Sequence, residues 1–474
     1  MDRSKIIGFA LGPIITAILG LASLPILAWY FSTEDIGRIS MLQVVISFTV
    51  ILFSLGLDQS YVREYHQVKN KAVLLKTATL PSLLLFCLVS LGFFLYSPSL
   101  LSVLLFSIDS TIFSVLIVVC LLVSLLSRFL SLMLRMQEKS LAFSMSQVLP
   151  KLLFLLVIGG YVLTDTALNF SKLFFAQVSS VITIFFIYAW NTRVEWIPAI
   201  VEVIDYSELK KMFFFGVPLI FGGVASWGLM TMDRVFLRHL SSFDELGVYS
   251  VAASIAAAAS VVSGIFTTVW APTVFKWSAA GEDLDKIDQV SEHVLAAVYF
   301  ILCLGGMFSW LIAYILPPAY VSVQYLVVGC MIAPLFYMIS EVSSVGIAIS
   351  RKTGYSLIAA CIAAGVNVLG NYLLIPMYGA IGATVSTALA FWIFILCRIE
   401  FSCLVWRAVP RLKVYVMTFV CLCAAASFAF LGEGRKMEFL ILWSILFFSG
   451  LFIFNNSFVL IKRLIRFEYA KLQL

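Results

Sequence analysis

A lysine lies where a lysine is costly. Lys151 falls well inside an apolar run of the sequence, about nine residues deep, or about 13 Å at 1.5 Å per residue. Ser140, Ser144, Gln147 and Lys151 recur on one face of a helix. A polar face ending in a cation belongs against a water-filled cavity, where the ammonium is a counter-charge for an anion. The alternative is an ion pair with a structural role. Arg128 and Arg63 stand toward the ends of two other apolar runs. A guanidinium binds phosphate oxygens through its planar fork; anchoring at the membrane interface is the competing reading. Asp58 and Glu341 are the carboxylates that could take a proton or cation, with Glu341 equally placeable near headgroups at the end of its run. Asn367 and Asn371, four apart, share one face and could contact a ligand or hydrogen-bond a neighbouring helix.

The elements that must hold these residues follow from composition. Of the 474 residues 62% are hydrophobic and 12% charged, well outside the range of a soluble domain. Apolar runs recur from end to end, each near the 20 residues needed to cross hydrocarbon. They are continuously apolar, without the alternation of a β-barrel, so the spans are helices. They fall at about 6–31, 39–60, 77–97, 111–133, 142–164 and 170–190, then 211–231, 247–270, 292–316, 321–349, 354–375, 380–400, 412–431 and 437–461. The expectation is an all-α polytopic membrane protein of about fourteen spans. Its domains are a six-helix bundle over 1–190, a cytoplasmic linker over 191–210, a second six-helix bundle over 211–400, and two extra helices with a tail over 401–474. The first run is too long for a signal-peptide core and reads as a retained span.

With both termini placed inside, Lys and Arg favour the inside segments by about four to one. One inside loop, Gly281 to Glu292, dissents by being acidic. The net charge of +6 comes from membrane-flanking residues and does not point to nucleic acid. The nine cysteines and three histidines show no metal-ligand spacing, and no cofactor is expected. No phosphate-binding loop of the GxxxxGK[ST] type occurs, so an ion gradient or membrane potential is the expected drive.

The halves echo each other. Ser32-Thr33-Glu34-Asp35-Ile36-Gly37 and Ser242-Phe243-Asp244-Glu245-Leu246-Gly247 stand at an offset of 210, each after an odd-numbered span. Gly12-Pro13-Ile14-Ile15 is echoed less regularly by Gly216-Val217-Pro218-Leu219. Two parallel six-helix repeats are implied, an arrangement of secondary transporters.

From Gly346 to Arg398 the sequence carries Asn367, Asn371, Leu374-Ile375-Pro376, Gly379, Gly382-Ala383 and Thr387. This block resembles the polysaccharide-exporting branch of the multidrug/oligosaccharidyl-lipid/polysaccharide exporter superfamily. The acid-Gly hairpins at Glu34–Gly37 and Asp244–Gly247, and Leu55-Gly56-Leu57-Asp58-Gln59-Ser60, resemble the same family. The resemblance implies a flippase of the O-antigen or capsule type in a bacterial inner membrane. It would carry a polyprenyl-pyrophosphate-linked oligosaccharide from the cytoplasmic to the outer leaflet, with membrane lipid and polysaccharide polymerase machinery as partners. Lys151, Arg128, Arg63, Gln147, Asn367 and Asn371 would then face the substrate, and Glu341 and Asp58 the coupling ion. The alternatives are a multidrug exporter of the same superfamily and, from another class, a polysaccharide polymerase or ligase. The short external loops argue against the last.

Overall fold

In the computed structural model, residues 3–164, 168–280, 285–455 and 457 are described. Residues 281–284 and the basic tail with Lys462, Arg463, Arg466 and Lys471 lie outside the described residues. The described residues hold helices and no strand, as lipid demands of a chain that must satisfy its own backbone. The chain divides into two units, Met1–Arg238 and His239–Leu474.

The first unit contains α1 (Arg3–Tyr30), α2 (Thr33–Phe53), α3 (Leu57–Glu64), α4 (Lys71–Tyr96) and α5 (Leu100–Phe106). It continues with α6 (Thr111–Met136), α7 (Ser140–Leu163), α8 (Phe170–Val201) and most of α9 (Tyr206–Leu240). Side-chain caps fix several starts: Asn70 accepts from the Ala72 and Val73 amides, Ser110 from Phe113, and Asn169 from Lys172. The core is knit by α1 on α7, α6 on α8, and α7 on α8. One end of this unit, the basic end, carries Lys71, Lys76, Arg135 and Lys139.

The second unit contains α10 (Phe243–Ala279), α11 (Asp285–Phe308), α12 (Ile312–Ile315), α13 (Val323–Ser343) and α14 (Val345–Ile349). Then come α15 (Gly354–Val405), α16 (Leu412–Leu431) and α17 (Lys436–Ile453). α13 is its centre, packed by α10, α15, α11 and α16. In both units large apolar side chains such as Leu88 and Phe452 face outward, while Ser, Thr and Ala fill much of the interior. That is the pattern of helices in lipid, where small residues permit close approach.

Twelve described helices are long and apolar enough to cross a membrane, and a shorter apolar one covers Ile14–Tyr30. α15 supplies two passes, because Gly379 (φ 51°, ψ −126°) breaks it into antiparallel limbs. The outcome is the multi-pass all-α protein expected, with about fourteen passes. Several helices outrun their apolar cores. α8 continues through 191–201 and α9 begins at Tyr206, so most of the expected 191–210 linker is helical. The extra turns persist because their polar groups find partners: Lys76 Nζ donates to Ile200 O at 2.7 Å and Asn70 Nδ2 to Glu202 Oε1 at 3.0 Å. The unit boundary falls at Arg238/His239, since α9 is tied to the first unit. Ser60 Oγ donates to Met212 O at 2.8 Å and Trp227 Nε1 to Ser47 Oγ at 3.0 Å.

The repeat is visible as matched caps. Ser32 accepts from the Asp35 amide at 3.1 Å, and Ser242, at the same offset of 210, from the Glu245 amide at 3.2 Å. Each capped helix also reaches a later helix of its unit, by a contact of its own. The Arg38 guanidinium lies over Phe170 at the start of α8, and Glu245 reaches Ala380 at the start of the second α15 limb.

The acidic loop is also explained. Asp288 accepts from Arg407 at 3.0 Å and Glu292 from Lys413 at 2.5 Å. The carboxylates are neutralised by Arg407, between α15 and α16, and by Lys413 in the first turn of α16.

Candidate functional site

The most structured charge in the first unit is built on a broken helix. α2 ends at Phe53, and Leu55 and Gly56 take left-handed conformations (φ 55° and 68°) before α3 begins. Gly56 lies on Gly216 of α9 so closely that a Cβ would stand 2.2 Å from the Gly216 carbonyl oxygen. Only glycine permits that approach. The break re-aims the chain so that Asp58, in the first turn of α3, meets α6. Arg128 donates to Asp58 Oδ2 from Nε at 3.0 Å and Nη2 at 2.8 Å, and Gln59 Nε2 adds a bond at 3.2 Å. Asp58 is 6% exposed, whereas the Arg128 side chain is 35% exposed.

That exposure opens into a cavity of about 370 Å³ lined with Gln43, Ser47, Ser124, Ser127, Ser131 and Gln177, and with Ile46, Val50, Val181, Ile184 and Tyr188. Arg128 Nη1 makes no hydrogen bond among the described residues. Counted along α6, Arg128 sits about 26 Å from Thr111 and about 12 Å from Met136, in the third nearer the basic end. The site thus offers a guanidinium, oriented by a buried carboxylate, to a polar cavity: an anion-binding arrangement.

Lys151 stands apart from it. It is half-buried on α7, with no hydrogen bond or ion pair among the described residues. Neither it nor Gln147 lines the Arg128 cavity. Part of their polar face is closed: Ser144 is buried against Gly12 of α1, where a Cβ would lie 2.7 Å from the Ser144 backbone. Arg63 is also separate. Its guanidinium lies 4.5 Å over the Phe215 ring and 3.4 Å from Glu64, so it has no part in the Asp58 pair.

In the second unit the asparagines form the seam of the α15 hairpin. Asn371 Nδ2 donates to Asn367 Oδ1 and Asn367 Nδ2 to Thr387 Oγ1, both at 3.0 Å, with all three residues buried. At Gly382 a Cβ would come within 2.5 Å of Leu374 O. Glu245 Oε2 accepts the Ala380 amide at 2.8 Å, capping the returning limb. The spacing that groups these residues in sequence therefore serves a helix–helix contact.

Glu341 lies two residues from the end of α13, where Arg398 Nη1 reaches it at 2.5 Å and Ser340 Oγ at 2.9 Å. The sequence reading gave Arg398, near the end of the span at 380–400, no role. α15 instead runs on to Val405, and Arg398 is 8% exposed. Its signal was the apolar stretch around it, from Phe391 to Val405, interrupted besides Arg398 only by Glu400 and Ser402. The Asp58–Arg128 partnership, across 70 residues, had no local signal. Among the described residues no group of His, Cys, Asp and Glu could hold a metal ion.

Residues 3–278 match a family model described as polysaccharide biosynthesis protein. No curated protein sequence matches. Among solved structures, the chain is similar to a lipid II flippase MurJ in an inward closed conformation. The TM-score is 0.65 at 14% identity, covering 95% of this chain and 98% of that one. It is also similar to an inward-facing multidrug resistance MATE family transporter of the MOP superfamily. There the TM-score is 0.57 at 13% identity, covering 86% and 98% of the two chains. At these identities the likeness is one of fold.

Proposed function

The chain belongs to the polysaccharide biosynthesis protein family, and from that premise we propose that it is a flippase for polyprenyl-pyrophosphate-linked oligosaccharide repeat units. It carries them from the cytoplasmic to the outer leaflet of a bacterial inner membrane by alternating access, with both termini cytoplasmic, for polysaccharide polymerase machinery to use. The observation that carries this reading is Arg128, oriented by Asp58 at the edge of a polar cavity with Nη1 unengaged. A diphosphate is the head-group chemistry such a guanidinium recognises.

The mechanism follows from competition. The incoming diphosphate draws Arg128 away from Asp58, and the carboxylate, left buried without its partner, takes up a proton or cation. Substrate and ion are thereby coupled through one side chain, with no nucleotide and no covalent step. Glu341, paired with Arg398, is a second carboxylate for the coupling ion, in the second unit. Lys151, Gln147 and Arg63 are further polar stations for the head group, and Asn367 and Asn371 hold the helix pair through which the second unit moves.

Deletion of the gene in its host tests the reading. Loss of surface polysaccharide, with intact lipid-linked repeat units accumulating on the inner leaflet, is expected. Normal polymer with increased sensitivity to small toxic compounds would instead identify a drug exporter and refute the proposal.

A further inference from the structure

The basic end of the first unit holds a second polar cluster, away from the Arg128 cavity. Tyr61 and Tyr65 stand at α3, Gln137 follows the last residue of α6, and Glu195 lies near the end of α8. Tyr65 Oη donates to Glu195 Oε1 at 3.0 Å, and Gln137 Nε2 donates to the same oxygen at 2.5 Å. Tyr61 is completely buried, its ring edge-on to that of Tyr65 at 5.6 Å between centroids. Three buried oxygens here, Tyr61 Oη, Gln137 Oε1 and Glu195 Oε2, have no hydrogen-bond partner among the described residues. One such atom is costly, and three within one cluster, linked through the Glu195 bonds and the Tyr61–Tyr65 ring contact, call for a ligand that binds oxygen.

The chemistry of the set is specific. Its donors are all oxygens: two hydroxyls, an amide carbonyl and a carboxylate. Burial first, and the Glu195 carboxylate second, push both tyrosine hydroxyls well above the ordinary tyrosine range, so they stay neutral. The set then carries one formal negative charge. Hard cations take oxygen ligands, and a single carboxylate balances a monovalent one. The cationic neighbour Lys71 lies 4.6 Å from the Tyr65 ring centroid but donates to the Tyr65 and Val68 carbonyl oxygens. His66 packs edge-on against Tyr65.

We propose that Glu195, Gln137, Tyr61 and Tyr65 form a sodium-ion site. Asp58 and Tyr61 fall at i and i+3, on one face of α3, and Tyr65 follows its last residue. An ion that fixes Tyr61 also fixes where Asp58 meets Arg128. This link to transport rests on the flippase reading; the binding itself does not.

The test uses the full-length protein, purified in detergent. Radioactive sodium binding is measured, and melting temperature is followed in sodium, lithium, potassium and choline chloride at equal ionic strength. Saturable sodium binding and a higher melting temperature in sodium than in choline are expected. Glu195→Gln should abolish both. Tyr61→Phe should weaken sodium binding about tenfold, yet leave the melting temperature in choline equal or higher, because it removes a hydroxyl without a partner. Should Glu195→Gln fail to fold, Tyr61→Phe decides alone. Absence of saturable binding, with one melting temperature in all salts, would mean that the cluster holds water only. Wild-type binding by both variants would place the ion elsewhere. Either result overturns the site. Normal polymer export in the deletion host would refute the flippase reading and leave the binding result standing.

Discussion

Arg128→Gln removes the cation and strands Asp58, a carboxylate 6% exposed, on a single side-chain bond from Gln59 at 3.2 Å. Breaking a buried pair from one side costs about 3–5 kcal/mol. The Arg128 side chain is 35% exposed, so water reaches the gap and the lower figure applies, about 3 kcal/mol or about a hundredfold in the folding equilibrium. For a unit of this size that corresponds to about 6–12 °C in melting temperature. Asp58→Asn added to Arg128→Gln removes the stranded charge and should recover all but about 1 kcal/mol of the loss. Transport separates from stability at this point. The double variant folds but offers the diphosphate no guanidinium, so surface polymer stays lost; Asp58→Asn alone keeps the cation but lacks the carboxylate that takes up the coupling ion, so its export should fall as well. The assays are thermal unfolding in detergent and surface polysaccharide in the deletion host at matched protein levels. A double variant that restores both stability and export would refute the reasoning, because the pair would then be structural only.

Lys151→Arg should keep export and Lys151→Glu should abolish it at equal protein level; full export with Glu would remove the cationic role. Gly382→Ala forces a Cβ within 2.5 Å of the Leu374 carbonyl oxygen, and neither backbone segment can yield easily. A loss of about 1–3 kcal/mol is expected, seen as a lower melting temperature. Asn367→Leu breaks the links to Thr387 and Asn371 and should cost about 1–2 kcal/mol. Export should then fall only in step with protein level, and a larger fall would assign Asn367 a direct contact with substrate.

Helix type and number were legible because lipid leaves a chain few options: each long apolar run had to become a helix, and the limits of α16 coincide with those read from sequence, 412–431. Helix ends were less legible. Apolar composition reports the hydrocarbon, while α8 extends past it on partners such as Lys76 and Asn70 that are distant in sequence. The paired serine caps were readable from a fixed offset, since an N-cap depends on residues within one turn. The ion pairs were not. Asp58 with Arg128, and Glu341 with Arg398, were each singled out in part, but pairing across 57 or 70 residues is set by helix packing, which leaves no local trace. For the same reason Glu195 passed as an ordinary linker residue. The Asn367–Thr387 block was legible in its grouping, and the structure adds that the grouped residues bond one another.

The α15 hairpin has a consequence for biogenesis. Its first limb brings two amides, Asn367 and Asn371, into the apolar phase, where polar groups without partners are expensive. Thr387, which bonds Asn367, follows only 20 residues later, and the reversal at Gly379 uses local chain alone apart from the Glu245 cap. Glu245 has by then already been synthesised. The hairpin can therefore enter the bilayer as a closed pair as soon as its second limb leaves the ribosome, before α16 and α17 emerge. Contacts of such short range form early. The clasps of Asp288 with Arg407 and Glu292 with Lys413 span 119 and 121 residues and close later, once the chain beyond the hairpin has been made.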